Sequence, residues 1–141
     1  MTAEEVAYFD RLFGQRGSAE RLDPRAVVYR DGSSPKPARC HENVDRWVDE
    51  HPDCAAVRGW LIETETADHA TFVAHSAVNA GRGPLVEITL PSAIRFLRHE
   101  GPCELWERIE PTNRQRSWPP CEIDWRDAAP VEQAWHATRQ I

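Results

Sequence analysis

The feature that most constrains this chain is a hairpin near its middle. Residues 70–78 (Ala70-Thr71-Phe72-Val73-Ala74-His75-Ser76-Ala77-Val78) and 85–90 (Leu85-Val86-Glu87-Ile88-Thr89-Leu90) are strand-like apolar runs. Asn79-Ala80-Gly81-Arg82-Gly83-Pro84 lies between them. Glycine and proline at this density end one strand and begin the next. A third run, Ala55 to Ile62, precedes them and also reads as a buried strand. Three such runs in succession commit the middle of the chain to an antiparallel sheet, and the flanking segments must supply its cover.

Those flanks read mainly as helices. Thr2 and Glu5 have capping-box spacing, and Val6, Phe9, Leu12 and Phe13 recur at helical intervals before Gly14, which predicts an amphipathic helix over 3–13. A second helix is predicted over 40–50, with Cys40, Val44, Trp47 and Val48 on one apolar face and Pro52 beyond its end. Pro91 is expected to open a short helix bearing Ile94, Phe96 and Leu97, closed near Gly101. Further helices are predicted over 103–109 and from Asp127 and Pro130 through Val131, Ala134 and Trp135. Ala26-Val27-Val28-Tyr29 reads as a short strand and residues 31–37 as a loop. The stretch 110–126, rich in Pro, Arg and Trp, matches no element pattern. This order predicts an α+β fold in one domain, residues 1–141.

Size and charge narrow the function. A chain of 141 residues with 40% hydrophobic content and six Trp buries about two-thirds of its unfolded surface, so disulfides and metals are not needed for folding. A net charge of −6 argues against general nucleic-acid binding, which needs a basic face. Met1-Thr2-Ala3-Glu4-Glu5 lacks the basic and apolar regions of a signal peptide, and no run reaches the ~18 apolar residues of a membrane span. A cytoplasmic location is expected, with Cys40, Cys54, Cys103 and Cys121 reduced.

The chemistry concentrates in Arg39-Cys40-His41-Glu42-Asn43, where loop becomes helix, and in the two hairpin strands. Backbone N–H groups at a helix start favour a thiolate, as does a nearby imidazolium. Cys40 has the helix start, and His75 can serve as the imidazolium and as general acid and base. Glu87 on the neighbouring strand can hold the His75 ring. Direct opposition of His75 and Glu87 pairs Val78 with Pro84 and leaves 79–83 as the loop; a slip of one residue would put the two side chains on opposite faces. The Cys40 backbone N–H is the default oxyanion donor. A second donor could come from the 33–39 loop, from Asn43 or from His41.

The order of Cys40, then His75 on a strand, then Glu87 and Thr89 on the next strand after a glycine-containing turn resembles the papain-like superfamily. It is closest to the transglutaminase-like and arylamine N-acetyltransferase branch. Gly59-Trp60 resembles the strand between nucleophile and histidine in that branch, which makes Trp60 a candidate substrate contact. The Cys-His-x-Asn start with a later Gly-Trp-Leu is also similar to short uncharacterised bacterial proteins. The resemblance spans about residues 39–90. It implies a nucleophile-bearing helix packed on a small antiparallel sheet, with Cys40 as nucleophile, His75 as base and Glu87 as orienter. It also implies acyl chemistry on an amide, ester or thioester carbonyl of a protein, peptide or small molecule. The acid is Glu87 where Asp is usual, and Ser34 stands where papain-type enzymes place an oxyanion glutamine.

Hydrolysis, deamidation and acyl transfer share this chemistry, and the lack of a cofactor motif favours a hydrolase or deamidase with no cofactor. Two rivals use other features. Cys40, His41, Cys54, His69, His75, Cys103 and Cys121 could supply zinc ligands, but no Cys-x-x-Cys or His-x-x-x-His spacing occurs, so no metal is expected. Alternatively, Trp106, Trp118, Trp125 and Trp135, with the neighbouring Arg residues, could form a partner surface on a non-catalytic binding protein; the competing role for these Trp side chains is completion of the core.

Overall fold

A computed structural model describes residues 1–120. The segment read as a C-terminal helix, together with Cys121, Trp125 and Trp135, lies outside the described residues.

The described chain mixes helices with one seven-stranded sheet. Helix α1 spans Ala3–Gly14, α2 spans Cys40–Glu50 and α3 spans Cys103–Ile109. The strands are β1 (Glu20–Arg21), β2 (Asp23–Pro24), β3 (Ala55–Thr66), β4 (His69–Asn79), β5 (Val86–Glu87), β6 (Arg95–Arg98) and β7 (Gln115–Trp118). Their order is β1-β6-β3-β4-β5-β2, with β7 also paired to β4. Every pairing is antiparallel except β2 with β5.

Helix α1 begins where its cap dictates. The Thr2 hydroxyl accepts from the Glu5 N–H at 3.1 Å, and the Glu5 carboxylate accepts from the Thr2 N–H at 2.7 Å. Two orphan donors are thereby satisfied. Thr2→Ala is expected to lower stability by about 1 kcal/mol in urea unfolding. The helix buries Tyr8, Phe9 and Leu12 against Trp60, Phe72 and Trp118 on one face of the sheet and against Trp106 of α3. Trp106 and Trp118 are therefore core residues, and neither is available to a partner surface.

Strand alternation divides β4 between two environments. Phe72 and Ala74 face the cluster under α1 and α3. Val73 and Ala77 face a second cluster with Leu22, Leu61, Leu85 and Phe96. A third cluster joins Val44 of α2 to Val78 and Ile88, which seats α2 against the far end of β4.

Three sequence expectations are corrected. Residues 95–98 form β6, where a helix over 91–101 was predicted. The strand fits between β1 and β3 and is apolar on both faces: Phe96 enters one core cluster and Leu97 the other. Residues 26–29 form no strand, although Tyr29 is buried and donates its hydroxyl to the Asn43 carbonyl at 3.1 Å. The hairpin register is also wider than predicted. Val78 pairs with Val86, not with Pro84, so the connection extends over 80–85. The difference is two residues, so side-chain facing is preserved, and Glu87 lies diagonal to His75 on the same face.

β4 has a break on one edge. β7 pairs with it from Ala70 to Val73, and the Ala74 N–H donates to the Arg114 carbonyl at 2.8 Å. β5 pairs only at Val78. Between them, His75, Ser76 and Ala77 have no strand partner on that side among the described residues.

Candidate active site

The turn that presents Cys40 is strained. Ala38 has φ of 62°, a left-handed conformation that costs a residue with a Cβ about 1 kcal/mol. Arg39, the residue before the helix, makes no side-chain cap. Cys40 is the first residue of α2, and the first N–H groups of a helix have no intrahelical acceptor. The sulfur thus sits beside uncompensated backbone dipoles.

His75 is held from behind. His75 is 3% exposed, and Glu87 is fully buried. The Nε2–H of His75 donates to Glu87 Oε1 in a short hydrogen bond. The other carboxylate oxygen accepts from the Thr89 N–H at 2.7 Å and the Leu90 N–H at 2.8 Å. A buried carboxylate survives only with such partners, and here both oxygens are used. Nδ1 is then the ring atom left for the thiol.

The thiol and the ring shift each other's protonation. Burial alone would push the Cys40 thiol up. Hydrogen bonds and charge from His41 and His75 outweigh it and bring the pKa down to about 6. Burial alone would push His75 down. Hydrogen bonds and charge from Cys40 and Glu87 outweigh it and bring the pKa up to about 9. Between these values the pair is thiolate and imidazolium, the reactive form of a cysteine nucleophile.

His41 supplies the second interaction with the sulfur, its Nδ1 3.9 Å from Cys40 Sγ. The same nitrogen is 2.5 Å from Ser76 Oγ, and Nε2 is 3.5 Å from Glu110. Ser76 also accepts from Arg58 at 2.7 Å, and Arg58 grips Asp45 of α2 through bonds of 2.8 and 2.9 Å. His41→Ala is expected to move the midpoint of the Cys40 alkylation profile up by about one pH unit, read by mass spectrometry across a pH series.

Two of the sequence candidates have other duties. Asn43 is 5% exposed, and its amide is fully engaged. It donates to the Lys36 carbonyl at 2.8 Å and to Thr89 Oγ1 at 3.0 Å, and accepts from the Lys36 N–H at 3.0 Å. It ties the pre-helix loop and the turn after Glu87 to α2, and no donor is left for an oxyanion. Trp60 is fully buried, and its Nε1 donates to the Tyr8 hydroxyl at 2.7 Å. It stands opposite Ala74 in the β3–β4 register, on the face away from His75, so it cannot touch substrate.

Sequence reasoning missed Ser76, Arg58, Glu110 and Ala38. The first two had a signal, because cross-strand register brings Arg58 opposite Ser76. Glu110 arrives through chain folding alone, and an alanine carries no mark of a left-handed turn.

Cys40 lines two openings. A cleft of about 770 Å³ contains Cys40 and His75 with Leu61, Val73, Leu90 and Ile94. A smaller notch of about 270 Å³ contains Cys40 with His41, Glu42, Glu110 and Arg114. Among the described residues no group of three or more His, Cys, Asp or Glu side chains is placed to hold a metal ion, and no helix is long and apolar enough to cross a membrane. Compared with protein-family models, curated proteins and solved structures, the chain has no match in any of the three.

Proposed function

We propose that this protein is a cysteine-dependent hydrolase or deamidase that attacks an amide, ester or thioester carbonyl through Cys40, His75 and Glu87. The observation that carries the reading is the buried Glu87–His75 hydrogen bond in a cleft that Cys40 and His75 both line, where His41 and His75 draw the thiol down to about 6. A helix-borne thiol beside a histidine and an acid on neighbouring strands supports the likeness to the papain-like superfamily and its transglutaminase-like branch.

In the first step the Cys40 thiolate attacks the carbonyl carbon, and the Cys40 backbone N–H receives the developing oxyanion. The His75 imidazolium gives its proton to the leaving amine, alcohol or thiol as the carbonyl re-forms. This leaves an acyl group on sulfur and a neutral imidazole. Water then attacks the thioester and loses its proton to His75, and Cys40 departs as thiolate. Glu87 stays ionised and fixes the ring. A protein, peptide or small amide or thioester substrate in the cytoplasm fits this chemistry.

Selective alkylation tests the reading. Iodoacetamide at pH 6.5 is expected to modify Cys40 ahead of Cys54, Cys103 and Cys121, and His75→Ala is expected to slow that reaction about tenfold. Equal labelling of all four thiols would sink the proposal. The pH dependence follows from the two shifts. The thiolate's contribution to stability is present above the ordinary thiol pKa and is lost as pH falls through about 6. The imidazolium's contribution is present below 6.5 and is lost as pH rises through about 9. Alkylation should therefore rise through about pH 6 and then level off, well below the ~8.5 midpoint of a free thiol.

A further inference from the structure

We propose that the acyl part of the substrate is a straight aliphatic chain that lies in the 770 Å³ cleft with its carbonyl at Cys40. This rests on the nucleophile reading above and adds the substrate class.

The cleft runs along the sheet. His75 stands opposite Gly59, and Val73 opposite Leu61, so successive lining residues carry it away from the thiol. Glu63 also lines it, and the step from Gly59 to Glu63 is about 13 Å at ~3.3 Å per residue. Leu61 and Val73 form the sheet wall. The facing wall comes from Leu90, Ala93 and Ile94, in the segment between β5 and β6. Most of the surface between the nucleophile and the far end is hydrocarbon, and its volume lies within the range of small-molecule sites. A zigzag chain of ~1.5 Å bonds advances about 1.25 Å per bond, so about ten or eleven carbons cover that length and an octanoyl chain covers most of it.

Beside its apolar walls the cleft also takes in Arg21, Glu63 and Arg95. The notch, on the other side of Cys40, is lined by Ala38, Val73 and Ala74 and by Glu110, paired with Arg114 at 3.3 Å. Because Cys40 lines both, an acyl chain in the cleft leaves the notch for the polar leaving group and for water.

The test uses p-nitrophenyl acetate, butyrate and octanoate on the intact protein. The readouts are p-nitrophenolate release and the mass of the acylated protein, with Cys40→Ala as the background. The expected result is a rise in kcat/KM of about tenfold for every two methylenes, with the acyl mass on Cys40. In Ala93→Trp, a change at an exposed residue of the facing wall, the octanoate-to-acetate ratio is expected to fall close to one. Equal or falling rates from acetate to octanoate in the wild type would overturn the cleft assignment, and so would an octanoate preference that persists in Ala93→Trp. Iodoacetamide separates the two readings. If Cys40 alkylates selectively but shows no chain-length preference, only the acyl-chain inference fails. If Cys40 is no more reactive than the other thiols, the nucleophile reading fails with it.

Discussion

Replacing Glu87 with alanine is expected to destabilise the fold by about 3 kcal/mol and to remove the selective reactivity of Cys40. Glu87 is fully buried and satisfies three donors: His75 Nε2 and the N–H groups of Thr89 and Leu90. Removing one member of a buried ionic pair leaves its partner charged without compensation, a loss of about 3–5 kcal/mol. The lower figure applies because His75 can respond by losing its proton. That response removes the imidazolium that helps lower the Cys40 thiol, so alkylation at pH 6.5 should fall about tenfold or more. Glu87→Gln separates the two effects. Its shape is retained, but one carboxylate oxygen becomes an N–H₂ facing donors, so reactivity should fall as far while the stability loss is smaller. Urea unfolding and iodoacetamide kinetics on both variants supply the readouts. Wild-type reactivity in Glu87→Ala would show that the acid does not hold His75 in its charged form.

Gly59→Ala is the second large effect, and it is steric. Gly59 pairs with Arg98 on β6 and with His75 on β4. A Cβ here would fall inside contact distance of the Leu97 carbonyl oxygen, 2.5 Å from the Phe96 ring and 3.0 Å from Arg98 Cα. Two of these three neighbours are backbone, so a rotamer change cannot clear the space and β6 must move. Overpacking of this kind costs about 1–3 kcal/mol, and the upper end is expected because strand pairing is disturbed as well. Phe96 also packs edge-on against the His75 ring, with centroids 6.3 Å apart, so the shift should carry into the site. Gly17, with nothing within 4 Å of an added Cβ, is the matching control, and Gly17→Ala should leave thermal unfolding nearly unchanged. Equal melting temperatures for the two variants would show that the close approach of β6 is not required.

The sequence and the structure agree where local rules act alone. Capping at Thr2 and Glu5 and the apolar stripe from Cys40 to Val48 are properties of neighbouring residues, and α1, α2 and α3 fall within a residue of their predicted bounds. The place of Cys40 at the start of α2 and the meeting of His75 with Glu87 were legible for a related reason: a helix start and strand parity are sequence-local signals. β6 was not legible. Its adjacent Phe96 and Leu97 have no strand alternation, because both faces of that strand are buried. The two-residue strands β1 and β2 carry too few positions for any periodicity. The hairpin register was missed because its loop is fixed from outside, by β2 lying along β5 and by the Asp23 N–H bonded to the Leu85 carbonyl at 2.9 Å. Asn43 suits an oxyanion donor by its amide, and Trp60 a substrate contact by the resemblance of Gly59-Trp60. Distant partners, Thr89 and Tyr8, decide otherwise.

The bond between Asn43 and Thr89 also bears on how such a site tolerates change. Asn43 lies within one helical turn of Cys40, and Thr89 lies two positions past Glu87. The spacing between sulfur and carboxylate is thus referenced across a single amide–hydroxyl link, by a path that bypasses the connection between β4 and β5. Insertions and deletions over the exposed residues 80–84 need not disturb the placement of Cys40 relative to Glu87. That exposed stretch is free to vary in length, while the separation of Cys40 and Glu87 is gauged elsewhere.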